Sequence, residues 1–339
     1  MQNILVVKLS AIGDVIHALP VSYAIKEEYP HSHLTWVAEP AAAAILEGNP
    51  YIDELVIFEK SKFKSIRGFM ENYPSLKTRL RARSYDVSLD LQGLFKSAAI
   101  AYVAGAKGRL GTANMRELSD KISRPVTGAN ANGHIVERYL DVARAIGCKT
   151  KKAVFPLVVS ERDQELAGKI MEQAGAKLSN PYAVLVIGGN WPNKRWPSEY
   201  WAHLADELYN LGLVPVVVGG GAVDEANSME IASAMEIPPV NLVGRTNLKQ
   251  LGYLLSKAKV VIGGDTGPCH LAAGLGTKTV MLMGPTDAVR NGPYGQLDNA
   301  IEVSRDCRYC WKRACPKGWD CLEVIAVETV LAKVKAVLD

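Results

Sequence analysis

Short unbroken apolar runs alternate along this chain with stretches in which apolar residues recur at helical spacing. The runs lie at 3–8 (NILVVK), 34–38 (LTWVA), 55–58, 86–91 (DVSLDL), 182–187 (YAVLVI), 213–218 (LVPVVV), 240–243, 260–262 and 280–283. Runs this short, closed by Gly, Pro or polar turn residues, predict strands buried in a parallel sheet. The intervening stripes predict helices over about 15–28, 41–46, 160–174 and 322–338. Strand alternating with helix, without internal repeats, indicates an α/β fold built on doubly wound sheets. Two prolines cut across the pattern: Pro20 is expected to kink the first helix or delay its regular part, and Pro215 to interrupt its strand.

The same pattern divides the chain. At 339 residues it is too long for one ordinary domain. The expected organisation is a first domain over 1–158, a linker and helix over 159–181, a second α/β domain over 182–321, and a carboxyl-terminal helix, 322–339, free to pack back on the first domain. Two Rossmann-like domains facing a central cleft would bind a ligand there, at the carboxyl ends of the strands.

Composition narrows the class. With 48% hydrophobic and 22% charged residues, the chain reads as a soluble globular protein. Its longest apolar runs, such as 98–106, fall short of a membrane span. Met1 leads straight into a strand pattern with no signal-peptide features, so a cytoplasmic address is expected. The net charge of +4 is uneven: residues 1–158 hold 21 Lys and Arg against 15 Asp and Glu, and the remainder is slightly acidic. An anionic partner is therefore expected at the first half, although the basic density is too low for a nucleic-acid groove. Residues 60–83 concentrate this charge, with Lys60, Lys62, Lys64 and Arg67 interleaved with Phe63 and Phe69. They read either as a solvated pair of basic helices or as a lip receiving an anionic acceptor.

Candidate chemistry clusters where strands run into helices. In 260–286 (VVIGGDTGPCHLAAGLGTKTVMLMGPT), Gly263 and Gly264 close a strand, and Asp265, Thr266 and Gly267 open a helix carrying His270. Helix amines and close glycine backbone suit a diphosphate, although a simple N-cap and a satisfied helix histidine explain the same letters. Asp14, after Gly13 at another such turn, reads as a general base or as a plain N-cap. Lys194, in GGNWPNKRWP, could neutralise a departing diphosphate; no D-x-D pair occurs to hold a metal for that task. Glu225 follows Gly219-Gly220-Gly221 and Asp224, a weak signal for ribose hydroxyls. Gln92 and Lys96 follow a strand end, and Arg116 is a further cation for an acceptor. Cys307, Cys310, Cys315 and Cys321 (C-x2-C-x4-C-x5-C) suit a structural zinc site, free thiols or paired cysteines; Cys269 and Cys148 read as packing residues.

Several of these segments together resemble glycosyltransferase family 9, the ADP-heptose:lipopolysaccharide heptosyltransferases. The similarity is carried by 8–20 (KLSAIGDVIHALP), 90–97 (DLQGLFKS), 134–138 (HIVER), the Lys194 loop, Glu225, and Asp265-Thr266-Gly267 with His270 and Gly284-Pro285-Thr286. The resemblance implies a GT-B fold and an inverting transferase that needs no cofactor or catalytic metal. It implies Asp14 as base and Lys194 as diphosphate ligand. Gly13, Glu225, Asp265, Thr266, Gly267 and His270 would join Lys194 around the donor, and Lys60, Lys62, Lys64, Arg67, Gln92, Lys96 and Arg116 would face the acceptor. The implied donor is ADP-L-glycero-D-manno-heptose and the implied acceptor Kdo2-lipid A, met by a monomer at the inner face of the inner membrane. Segments 17–20 and 92–97 are more similar to the first core heptosyltransferase than to the second. A family member with another donor or acceptor, or a non-catalytic nucleotide-sugar binder, stands as the alternative.

Overall fold

The computed structural model describes all residues, Met1–Asp339, and divides into Met1–Val158 and Val159–Asp339. The first unit runs β1 (Asn3–Val7), α1 (Ile12–Glu28), β2 (His33–Ala38), α2 (Pro40–Leu46), β3 (Glu54–Ile57), α3 (Ile66–Leu80), β4 (Val87–Asp90), α4 (Phe95–Ala104), β5 (Gly108–Thr112), β6 (Arg124–Val126) and α5 (Ile135–Arg144). Its six strands are parallel in the order β3-β2-β1-β4-β5-β6. The apolar run of β1 is at the sheet's centre because Ile4, Leu5, Val6 and Val7 are covered on both faces.

The second unit opens with α6 (Glu161–Gln173), then β7 (Tyr182–Val186), α7 (Ser198–Asn210), β8 (Val214–Val218), α8 (Ala222–Ala234), β9 (Val240–Asn241), α9 (Leu248–Lys257), β10 (Val260–Gly264), α10 (Gly267–Gly274), β11 (Thr279–Met283), α11 (Ala288–Asn291), β12 (Ala300–Glu302) and α12 (Val327–Leu338). These strands are also all parallel, ordered β12-β11-β10-β7-β8-β9. Each sheet is thus doubly wound, the α/β class that the hydrophobic pattern indicates.

Helix α1 runs on through Pro20, which is buried. Three expectations are corrected. Strand β8 continues through Pro215, because β9 pairs only with Val216 and Val217 and asks nothing of residue 215. The helix expected within a linker, α6, packs on α9 and belongs to the second unit. The carboxyl-terminal helix does the same: Val330 and Val334 of α12 are fully buried beside Trp196, Trp201 and Leu204 in the second unit's core, so its apolar face is already used.

That placement is testable. Val330→Ala removes two buried methyl groups and leaves a cavity, and is expected to cost about 2–3 kcal/mol in denaturant unfolding. A change near zero would mean that α12 does not carry this core.

Candidate active site

In a doubly wound sheet the crevice lies where strand order reverses, since successive connections there leave toward opposite faces. In the first unit this point falls between β1 and β4. The turn after β1 is tied to the turn after β4 by one side chain: Gln92 Oε1 accepts from Leu9 N at 3.1 Å and Ser10 N at 3.2 Å. Asp14 follows in the first turn of α1, half-buried, with Oδ2 accepting from Ala11 N at 3.3 Å. It is not the N-cap, a position held by Ala11.

Behind Asp14 lies Lys8, only 2% exposed, whose Nζ donates to Tyr139 Oη at 2.9 Å. Burial works against the ammonium. The charge of Asp14, the Tyr139 contact and the charge of Asp90 more than offset it, and the Lys8 pKa stands above the ordinary lysine value. The base candidate therefore sits in the field of a buried cation. Sequence reasoning quoted Lys8 without a role and missed Tyr139; the available signal was a lysine closing an otherwise apolar central strand.

The acceptor candidates fall into two groups. Gln92, Lys96 and Arg116 gather at the end of β4: Arg116 N donates to Gly93 O at 2.9 Å, and Lys96 pairs with Glu39 at 2.5 Å. Lys60, Lys62 and Lys64 are exposed on and just after a 3-10 turn, Lys60–Phe63, that precedes α3 in place of a second helix. Lys62 and Arg67 are paired with Glu59 and Glu71, each at 2.7 Å. His134, within the 134–138 segment, caps α5 by accepting from Val136 N.

In the second unit the reversal falls between β7 and β10. The loop after β7 carries Lys194 and the turn after β10 carries Asp265, 5% exposed. Lys194 Nζ donates to Asp265 Oδ2 at 2.6 Å and to its carbonyl at 3.1 Å. Thr286 Oγ1 donates to the same Oδ2 at 2.6 Å, and His270 Nε2 meets Oδ1 at 2.7 Å. Burial pushes the Asp265 carboxyl up, but the His270 bond and the charges of His270 and Lys194 outweigh it and hold the group well below the carboxylate range. Lys194 Nζ also lies 4.4 Å from the centre of the Trp191 ring.

Glycine is required where these loops meet, since a Cβ on Gly264 would stand 2.3 Å from the Lys194 carbonyl oxygen. Thr266 takes the N-cap position of α10 with Gly267 next, which leaves helix amines at the end of β10. The two acids in the first turn of α8 separate cleanly. Asp224 is buried and accepts from Gly220 N at 2.8 Å, whereas Glu225 is exposed beside Gly244.

The cysteine-rich segment braces this region without gathering into a ligand cage. Tyr309 N and Trp311 N donate to Gly284 O and Pro285 O, and Asn193 Nδ2 donates to Lys312 O. Cys307, Cys310, Cys315 and Cys321 are free thiols, and no three His, Cys, Asp or Glu side chains stand where they could hold a metal ion. Cys321 packs toward Gly284 at the core's edge while Cys310 is exposed. Cys269 and Cys148 are buried, which pushes both thiols up to about 12.

Comparison with known proteins agrees with this layout. The family model described as glycosyltransferase family 9 (heptosyltransferase) matches residues 74–319. The lipopolysaccharide heptosyltransferase 1 of Pseudomonas aeruginosa is 29% identical over 323 residues, covering 93% of this chain and 87% of that protein. The crystal structure of a family 9 glycosyl transferase from Veillonella parvula matches with a TM-score of 0.86 at 26% identity, over 99% of this chain and 97% of that one. E. coli ADP-heptose lps heptosyltransferase II matches with a TM-score of 0.77 at 25% identity, over 100% and 98%. The arrangement of two doubly wound units is that of the GT-B glycosyltransferases.

Asp265 offers a direct test of the buried network. A carboxyl held below its unfolded value contributes stability that is complete above that value and lost as pH falls. Asp265→Asn is therefore expected to destabilise the protein at neutral pH, with the gap to the parent narrowing below about pH 4. Melting curves across pH read this out, and a gap that widened on acidification would contradict the assignment.

Proposed function

This chain belongs to glycosyltransferase family 9, the heptosyltransferases, and from that premise we propose that it transfers L-glycero-D-manno-heptose from ADP-heptose to a Kdo residue of Kdo2-lipid A. The observation that carries the reading is the Lys194–Asp265 pair at the second unit's switch point, beside the helix start at Thr266 and Gly267. A half-buried lysine locked on a carboxylate presents one fixed cation to a diphosphate, and the backbone amides at the start of α10 supply further donors. Exposed Glu225, on the first turn of α8, is placed to accept from the ribose hydroxyls.

Asp14 takes the proton of the acceptor hydroxyl as that oxygen attacks the anomeric carbon and the ADP diphosphate leaves. One base and one displacement invert the centre. Lys8, the buried cation behind Asp14, faces the charge of that carboxylate. Lys194 neutralises the leaving group, the task a metal performs where a D-x-D pair holds one, and this chain has no such pair. Lys60, Lys62, Lys64, Arg67, Lys96 and Arg116 offer cations to an anionic acceptor, with Gln92 acting mainly as the brace of the Asp14 turn. The acceptor is a lipid, so the protein would work as a peripheral monomer at the cytoplasmic face of the inner membrane. None of its helices is long and apolar enough to cross a membrane. The first-heptose assignment rests on likeness to a heptosyltransferase 1 over 93% of the chain and on segments 17–20 and 92–97.

Asp14→Asn is expected to lower turnover about 10²–10⁴-fold while donor binding, measured by calorimetry, stays close to that of the parent. Equal loss of donor binding would instead make Asp14 a structural residue. Chelation with EDTA is expected to leave the rate of ADP release unchanged; a rate abolished by EDTA and restored by a divalent ion would overturn the role given to Lys194.

A further inference from the structure

Helix α3 spends almost none of its apolar content on the core. Of its 15 residues only Leu80 is buried. Ile66 is 83% exposed, Met70 70% and Phe69 48%. Ile66 and Met70 are four apart and Phe69 three from Ile66, so the side chains form one ridge along a single helix face. Isolated exposed apolar residues are ordinary, but a contiguous ridge of large ones on a single helix marks an interaction surface.

Phe69, the least exposed of the three, also anchors the helix, while Ile66 and Met70 stand clear. Phe69 stacks on Tyr73 at 5.0 Å, Phe63 meets Phe69 at 6.2 Å, and Phe63 stacks on buried Phe58 at 5.0 Å. This aromatic ladder ties α3 to the end of β3. Ser65 sets the start of the helix by accepting from Gly68 N at 3.0 Å. The ridge is therefore held out by a rigid mount.

Charge selects the occupant. Residues 59–83 carry eight Lys and Arg against two acids, Glu59 and Glu71. Those acids pair with Lys62 and Arg67, and neither Lys60 nor Lys64, which border the ridge, has an ion-pair partner. A helix of long apolar side chains bordered by exposed cations is suited to a bilayer surface with anionic headgroups, where the ridge enters the acyl boundary and the cations meet phosphate. A second copy of this chain on the same face would oppose one cationic patch with another.

We propose that α3 is a membrane-docking helix, with Ile66, Phe69 and Met70 inserting into an anionic lipid surface. The inference deepens the reading of a lipid acceptor, but its test does not run through donor, acceptor or turnover, so the two can fail separately.

The test is flotation of the full-length protein with vesicles of phosphatidylglycerol and phosphatidylethanolamine, or of phosphatidylcholine alone, all free of acceptor. The protein is expected to float with the anionic vesicles, to be released by high salt, and to bind phosphatidylcholine far more weakly. Ile66→Glu combined with Met70→Glu is expected to weaken anionic-vesicle binding at least about tenfold, with an unchanged melting temperature. No flotation by the parent, equal flotation by the double variant, or equal and salt-insensitive binding to phosphatidylcholine would overturn the proposal. So would a parent dimer in sedimentation that the double variant dissolves, which would make the ridge a self-association surface.

Discussion

The second unit's site is organised around one buried carboxylate. Asp265 receives Lys194, His270 and Thr286, which arrive from the turn after β7, from α10 and from the turn after β11. An ionised carboxylate at 5% exposure is sustainable only with such partners, and the partners are in turn immobilised by it. The glycine-only approach of Gly264 to the Lys194 carbonyl brings the loops close enough for the contact to form. The result is a lysine whose position is set before any ligand arrives, which is how a cation contributes most to stabilising a leaving diphosphate. The cysteine-rich segment extends this logic. By bonding Gly284, Pro285 and Asn193 through its own backbone, it stiffens both loops that supply the network.

The first unit repeats the arrangement with different chemistry. Its switch point also carries a lysine near a carboxylate, but here Lys8 is the enclosed group and Asp14 the half-buried one. The inversion matches the tasks proposed for the two sites. A base needs its carboxylate accessible and its cation behind, whereas a diphosphate ligand needs its cation presented and its carboxylate behind. Gln92 binds the β1 and β4 turns together and so decides where Asp14 stands. The same argument ranks the acceptor cations: those at the end of β4 are held in place, and those before α3 are exposed on a mount that also carries an apolar ridge.

Much of this was legible in the residues. Buried parallel strands announce themselves as continuous apolar runs, and β1, β2, β3, β4, β7, β8, β9, β10 and β11 were read that way. Strands β5, β6 and β12 were missed because GRLGT, RPV and AIE lack such runs; their pairing comes from neighbouring strands rather than from their own side chains. Pro215 misled because β9 pairs only with Val216 and Val217, so the N–H that proline lacks is not needed there. Asp265 and His270 were legible as neighbours, but their closure on Lys194, 71 residues away, and on Thr286 is a tertiary fact. Tyr139 was invisible for the same reason, reaching Lys8 across 131 residues.

The central claim is a heptose transfer supported by one base and one fixed cation. Mass spectrometry of Kdo2-lipid A after incubation with the purified protein and ADP-heptose tests it most directly. The account predicts a gain of one heptose per acceptor. An unchanged acceptor, from protein whose melting temperature ADP-heptose also fails to raise, would contradict it.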